Sequence, residues 1–314
     1  MRITHGFHPG IATPTAVTAG NFDGVHRGHQ AMLERLSREA HAMGLEAVAV
    51  TFEPHPREWF GGDDVPARLS SLRDKLAIMH RCGIDHVHIC PFNARLAAMS
   101  ARQFVEDMLL AGLCMRHLLI GDDFRFGARR EGDFALLSLL GQQHGYSVEA
   151  MDSVVVAAQR ISSTAIRTAL ASGDFATAAQ LLGRPFCISG HVMHGDKRGR
   201  TIGFPTANLA LNRRRLPLSG VFCARVSGSG LNAVPAVVNV GMRPTVQSTQ
   251  QPRLETHLLD FSADLYGRII EVEFVAKLRD EQKFSDLALL RQQIARDVAR
   301  AREHFNLIAP SLPA

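Results

Sequence analysis

Tryptophan and tyrosine are almost missing from this chain, at one and two residues in 314. No aromatic-rich segment suited to stacking single-stranded bases is present, which argues against a nucleic-acid partner. The net charge of +5 and a pI near 9.2 are mild and suit small anions such as nucleotides. No apolar run nears the roughly 20 residues that cross a bilayer, and the opening MRITHGFHPG has no apolar signal core. The expectation is a cytosolic protein with no membrane partner. Cysteines number five, an odd count without a CxxC pair. That excludes a disulfide framework and reads as reduced structural thiols. What remains, 46% hydrophobic and 21% charged, is an ordinary globular composition. The length suits two domains, each able to bury its own core.

The richest stretch is GNFDGVHRGH, Gly20–His29. An apolar run, Ala16–Ala19, leads in, and a helical pattern from Gly28 to about Met43 follows, with Met32, Leu33, Leu36, Ala40 and Met43 on one face. A glycine-rich turn between strand and helix brings backbone N–H groups and the helix N-terminus to bear on an anion. His26 and His29, three apart, can both reach one ligand, an arrangement suited to polyphosphate charge that grows during reaction. With the strand EAVAVTF (46–52) this makes a βαβ unit and implies a parallel sheet. In EPHPRE, Pro54 and Pro56 are expected to stop both strand and helix and to leave His55 in a fixed loop. That loop lies at a strand C-terminal end, where open α/β sheets bind ligands.

Further along, a helix over 71–81 precedes a strand over 86–90. CGIDHVHIC brings Cys82, His86, His88 and Cys90 close in sequence, but without zinc spacing, so structural histidines are expected. Ser100 and Gln103 form a capping box for a helix ending near Gly112. The strand HLLIG (117–121) empties into GDDFRFG, where Asp123 is placed to fix a base or ribose. A helix over 133–144, ended by Gly145, and the strand SVEAMD come next. In RISSTAIR (160–167), Ser162, Ser163 and Thr164 form a helix N-cap region between Arg160 and Arg167, a combination that favours phosphate. Asp174 caps one more short helix, and the domain boundary is placed near residue 185.

Beyond it, short β-type runs alternate with glycine and proline turns, the pattern of a small barrel or sandwich. Strands are expected over 186–193, 220–226, 236–240, 255–261 and 268–274. An amphipathic helix over 285–305 closes the sequence, its stripe Leu287, Leu290, Ile294 and Val298 packing on the barrel. RRR at Arg213–Arg215 reads as a solvated loop. HGDKRGRTIGFPTAN (194–208) is a basic, glycine-rich segment that is not a Walker A loop, yet its backbone can drape over phosphates. Thr206 and Asn208 offer hard oxygen ligands for Mg²⁺. In LETHLLDF, Glu255 at a strand head beside His257 is a candidate base for an attacking hydroxyl.

The ordered set GNFDGVHRGHQ, TFEPHPRE, GDDFRFG, ISSTAIR, HGDKRGRTIGFPTAN, VVNVGMRPTV, LETHLLDF, DLYG and LRDEQKF resembles the bifunctional bacterial riboflavin kinase/FAD synthetase family from end to end. The resemblance implies an N-terminal Rossmann-like HxGH nucleotidyltransferase domain (1–185). It implies a C-terminal riboflavin-kinase β-barrel with a terminal helix (186–314). It further implies that ATP phosphorylates riboflavin to FMN, and that a second ATP transfers AMP to FMN, giving FAD and pyrophosphate, with Mg²⁺ as cofactor. Carried onto this sequence, His26 and His29 hold the α-phosphate, and Ser163, Thr164 and Arg167 close over the phosphates. Asn21, Phe22, Asp23, Gly24, Gly28, His55, Asp123, Arg160 and Ser162 line the nucleotide and flavin sites. Gly195, Lys197, Gly199, Arg200 and Gly203 serve the kinase ATP, Thr206 and Asn208 its metal, and Glu255 is its base. Phe222 and Met242 depart from the family pattern, with flavin packing as the property at stake.

One competing reading is a single-activity adenylyltransferase whose barrel only senses flavin. Another is a basic nucleic-acid binder resting on the pI. A class I aminoacyl-tRNA synthetase shares the HxGH site, but a KMSKS-like segment is lacking. Oligomeric state is not legible.

Overall fold

A computed structural model describes residues 1–7, 10–61, 65–152, 154–156, 159–194, 202–211, 213, 215–243 and 251–307. The chain divides into two compact units, Met1–Pro66 with Leu72–Ser163, and Ala67–Ser71 with the residues from Thr164 onward.

The first unit is built on a six-stranded parallel sheet. Its strands are β1 (Arg2–His5), β2 (Thr15–Ala19), β3 (Glu46–Glu53), β4 (His86–Pro91), β5 (Met115–Gly121) and β6 (Ser147–Met151), in the order β1-β4-β3-β2-β5-β6. Every residue of β2 is buried, as a central parallel strand covered on both faces requires. The chain winds from β2 through α1 (Arg27–Ala42) to β3, then through α2 (Pro56–Phe60) and α3 (Leu72–Arg81) to β4. It then returns to the other side of β2 through α4 (Ala94–Ala98), α5 (Ala101–Gln103) and a π-helical continuation, Phe104–Gly112. The winding therefore reverses between β2 and β5, and the crevice at their C-terminal ends is where such sheets take ligands. Helix α6 (Phe134–His144) and the hairpin β7 (Val155–Val156)–β8 (Gln159–Arg160) complete the unit.

Local signals account for most boundaries. Ser100 and Gln103 make the reciprocal capping box. Asp133 caps α6 and Gly145 closes it in the left-handed conformation. Pro56 does not end structure as expected: it opens α2 at the first turn, where its missing N–H is harmless, and His55 is the N-cap. Met43 is half-exposed because it is the C-cap of α1, beyond the buried Leu33, Leu36 and Ala40. His86 and His88 both meet the Thr4 hydroxyl, at 2.8 and 2.9 Å. Among the described residues no group of three or more potential ligands could hold a metal. All five cysteines are free, and burial pushes the Cys90 thiol up to about 12.

The second unit takes in α7 (Ser163–Ser172) from Thr164 onward and α8 (Phe175–Leu182), the latter capped by Asp174 and Gly183. A closed antiparallel barrel follows, with β9 (Cys187–Met193), β10 (Ala207–Leu209), β11 (Gly220–Gly228), β12 (Leu231–Arg243), β13 (Gln251–Leu258) and β14 (Ile269–Arg279). Its closed order is β10-β13-β12-β11-β14-β9, which leaves no exposed sheet edge. Phe175, Phe186, Phe222 and Phe274 pack ring to ring at 5.4 to 6.1 Å. Phe222 thus belongs to the aromatic core of the barrel. The terminal helix α9 (Leu287–His304) lies on the barrel's outer face, where Ala301 and Val298 meet Val221, Cys223 and Val237. Leu287 departs from the expected stripe and is 59% exposed, because it sits in the first turn before the helix reaches the barrel. Arg213 is no solvated loop residue: it is buried and donates to the Arg68 carbonyl at 3.3 Å.

Candidate active sites

The crevice between β2 and β5 holds a pocket of about 480 Å³. Phe22, Gly28, His26 and His29 line it on one side, and Asp123, Arg160, Ser162 and Ser163 on the other. His26 is the N-cap of α1, and its Nδ1 accepts the His29 backbone N–H at 3.3 Å. An accepting Nδ1 leaves the His26 proton on Nε2. The two imidazoles stack, with centroids 3.6 Å apart and planes 11° from parallel. Packing this close makes a second positive charge costly. The His29 pKa is driven well below the usual histidine range, first by burial, then by His26 and by Lys75. The pair therefore offers neutral N–H donors above a helix N-terminus at pH 7, which suits a phosphoryl group.

Gly28 permits this stack. A Cβ there would stand 3.3 Å from both Cε1 and Nδ1 of the His26 ring. Phe22 sets an edge against His29 at 5.2 Å. The Asp23 carbonyl accepts from the Ser163 hydroxyl at 3.0 Å, which joins the RISS segment to the turn. Asn21, Asp23 and Gly24 shape the turn with their backbone and do not line the pocket. Asp123 is paired with Arg160 at 2.7 Å, so these two predicted ligands hold one another. Phe124 and Phe126 stack at 5.4 Å, and Phe126 plugs the core against Phe104. His55 Nδ1 accepts from the Arg57 N–H at 3.2 Å and is not among the lining residues. Thr164 and Arg167 fall in the second unit, where Arg167 Nε donates to the Ala67 carbonyl at 2.7 Å.

A second pocket, of about 250 Å³, lies between the barrel's outer face and α9. Side chains alternate along a strand, so Arg253, Glu255 and His257 of β13 share the face that lines it. Glu255 is not at a strand head as expected, because β13 starts at Gln251. It stands mid-strand, opposite Asn208 of β10 on one side and Asn239 of β12 on the other. Arg253 bridges the group: it pairs with the Glu255 carboxylate and donates from Nε to Asn208 Oδ1 at 3.2 Å. Thr206 and Asn208 both line the pocket. His257 Nδ1 meets the Pro205 carbonyl at 2.8 Å, so Nδ1 carries the proton, and burial lowers its pKa. Leu290 and Ile294 of α9 supply an apolar wall. Beside them Asp297, 1% exposed, receives Arg279 in a bidentate pair at 2.8 and 3.0 Å, with Gln293 at 3.0 Å. Gly203, at φ 88°, precedes this region and does not line the pocket, and Gly195, Lys197, Gly199 and Arg200 lie outside the described residues.

Sequence reading missed β10, which is only three residues long and hidden in a segment read as a ligand loop. It also missed Arg253, Asn239 and the Arg279–Asp297 pair. The only signal for Arg253 was its period-two spacing from Glu255. Asn239 lies in VVNVGMRPTV, one of the segments that carry the resemblance, but nothing local gives it a role, and nothing local marks Asp297.

Comparison with known proteins covers nearly the whole chain. The FAD synthetase family model matches residues 8–165 and the riboflavin kinase model residues 182–305. The bifunctional riboflavin kinase/FMN adenylyltransferase of Escherichia coli K12 is 47% identical over 99% of this chain and 100% of its own length. That of Pseudomonas fluorescens is 49% identical over 94% and 93%, and that of Haemophilus influenzae 44% over 98% and 100%. A crystal structure described as a macrolide-efflux protein from Streptococcus pneumoniae superposes with a TM-score of 0.79 at 28% identity, covering 96% of this chain and 99% of that one. Among the described residues no helix is long and apolar enough to cross a membrane.

Proposed function

The chain belongs to the bifunctional riboflavin kinase/FMN adenylyltransferase family, and from that premise we propose how its two pockets divide the work. The protein makes FMN from riboflavin and ATP, and FAD from FMN and ATP. The pocket between β2 and β5 is assigned to adenylyl transfer, and the pocket under α9 to phosphoryl transfer.

The observation that carries the first assignment is the stacked, neutral histidine pair over the N-terminus of α1. An FMN phosphate is already an anionic nucleophile and needs no base. One of its oxygens attacks the α-phosphorus of ATP, and pyrophosphate leaves with the electron pair of the broken bond. Catalysis is then alignment and neutralisation of charge, which N–H donors of His26 and His29 supply. Asn21, Phe22, Asp23, Gly24 and Gly28 form the turn that aims them. Asp123, Arg160, Ser162 and Ser163 are proposed to bind nucleotide or flavin from the opposite wall, and His55, Thr164 and Arg167 keep proposed binding roles.

In the second pocket the nucleophile is a neutral alcohol. Glu255, flanked by Asn208 and Asn239, is proposed to accept the hydroxyl proton of riboflavin as its oxygen bonds to the γ-phosphorus and ADP departs. The apolar wall from Leu290 and Ile294 suits the flavin ring system. A hydroxyl and an amide oxygen fit Mg²⁺, which takes few protein ligands and completes its shell with phosphate and water. Thr206 and Asn208 would hold that ion, and it would neutralise charge on the transferred group. Gly195, Lys197, Gly199, Arg200 and Gly203 are proposed to contact the ATP of this reaction.

The functional modules are proposed as 1–185 and 186–314, supported by the riboflavin kinase match beginning at 182 and by β9 beginning at Cys187. The proposed compartment is the cytosol. Chromatography of products from riboflavin, ATP and Mg²⁺ over time tests the division of work. FMN should appear first and FAD second, and Glu255→Gln should leave only the second reaction. If Glu255→Gln still makes FMN at the parent rate, the base assignment is wrong.

A further inference from the structure

Lys75 of α3 is only 6% exposed, an unusual position for an ammonium, which loses much solvation there and needs strong acceptors. Its Nζ donates to the Asn21 carbonyl at 2.7 Å and to the Thr51 hydroxyl at 3.1 Å. Thr51 itself donates to the same carbonyl at 3.4 Å. Asn21 is the entrance to the turn that ends at His26.

That turn is strained. Phe22 at φ 47°, Gly24 at 80° and Val25 at 38° all occupy the left-handed region, which a bulky or β-branched side chain avoids. Backbone of this kind persists only where the surroundings over-determine it. Side-chain contacts from three elements do so here. Lys75 holds the entrance, Ser163 holds the Asp23 carbonyl at 3.0 Å, and Gln30 Nε2 holds the Val25 carbonyl at 2.7 Å. Of these only Lys75 is a cation, and it comes from α3, whose Ile78 and Met79 share one core with Phe22 and Val25 of the turn and Leu33 and Leu36 of α1.

We propose that Lys75 is a positioning residue for adenylyl transfer, its buried ammonium pinning the strained turn that aims His26 and His29 at the phosphates. The inference rests on the role given above to the two histidines. Electrostatics agree with the geometry, since Lys75 contributes to keeping His29 neutral. The other titratable and charged groups around His29 are His26 beside it and, across the pocket, Asp122, Asp123, Asp152 and Arg160.

The test uses the full-length protein and three variants. Lys75→Met removes the charge at similar length, Lys75→Arg keeps the charge but not the compact geometry, and His29→Ala removes the proposed catalytic ring. FAD formation from FMN and ATP, riboflavin phosphorylation by the same molecules, and the His29 ring titration by NMR are measured together. Lys75→Met should lose about tenfold or more in kcat for FAD formation while phosphorylation stays within about twofold. The His29 midpoint should move up, and Lys75→Arg should lie between Lys75→Met and the parent. A kcat near the parent value, an unmoved His29 midpoint, or a loss that only tracks the unfolded fraction by circular dichroism overturns the proposal. If Lys75→Met does not fold, Lys75→Arg decides: a folded protein with parental kcat for FAD formation, its compact ammonium contact to the Asn21 carbonyl replaced, overturns it. His29→Ala separates the premises, for if it makes FAD at the parent rate the histidine reading fails whatever Lys75 does.

Discussion

Asn208 and Glu255 stand directly opposite each other across the β10–β13 ladder, and the guanidinium of Arg253 touches both. A candidate metal ligand and a candidate base are thus set by one strand register. A slip of a single residue would turn Glu255 away from the pocket. Glu255→Gln keeps the shape and removes the proton acceptor. Riboflavin phosphorylation should fall by about 10²–10³, while FAD formation from supplied FMN continues. Steady-state assays of both reactions on one preparation check this, and parallel losses would refute the separate base.

Gly28→Ala should act on the other reaction. The added Cβ meets the His26 ring at 3.3 Å, which is tight enough to push the ring by a few tenths of an ångström. Because the His26 and His29 rings are stacked, the shift passes to both. FAD formation should drop by about tenfold with FMN formation untouched. Equal rates for the variant and parent would show that the stack tolerates movement.

Asp297→Ala leaves Arg279 beside a buried vacancy and frees Gln293 as well. Breaking one side of a buried ion pair costs about 3–5 kcal/mol. The loss should appear as lower stability of the barrel unit and weaker flavin phosphorylation, since α9 forms one wall of that pocket. Urea titration followed by circular dichroism measures it, and an unchanged midpoint would mean that the apolar contacts of Ala301 and Val298 suffice.

His88 links stability to acidity. Burial lowers its pKa to about 4 from an ordinary 6.5, against a backbone contact from Gly6 that raises it, while His86 and His5 lower it slightly. A histidine depressed in the folded state binds its proton more readily when unfolded. Its contribution is therefore intact above pH 6.5 and is lost as the pH falls toward 4, by up to about 3 kcal/mol. His88→Asn should flatten that limb of a stability profile measured by urea midpoints at successive pH values. A slope identical to the parent between pH 6.5 and 4 would assign the acid sensitivity elsewhere.

Short-range chemistry made much of this molecule legible in one dimension. The Ser100–Gln103 box, the Asp133 and Asp174 caps, Gly145 and Gly183, and the run from Ala16 through His29 each act within a few residues of themselves. So the βαβ unit, most strand and helix positions and the two histidines follow from the order of amino acids. Pro56 shows where that logic falters, because proline both ends and begins helices, and only the fold of the following residues selects between them. The candidate site in the barrel depends on distant partners instead. Glu255 gains its setting from two earlier strands, through Asn208 and Asn239, 47 and 16 residues before it in the chain, and a buried lysine or aspartate is tolerable only once its acceptor or counter-ion has been brought alongside. Asn239, Arg253, Asp297 and Lys75 were therefore decided by tertiary structure: register and burial join residues that carry no local sign of one another.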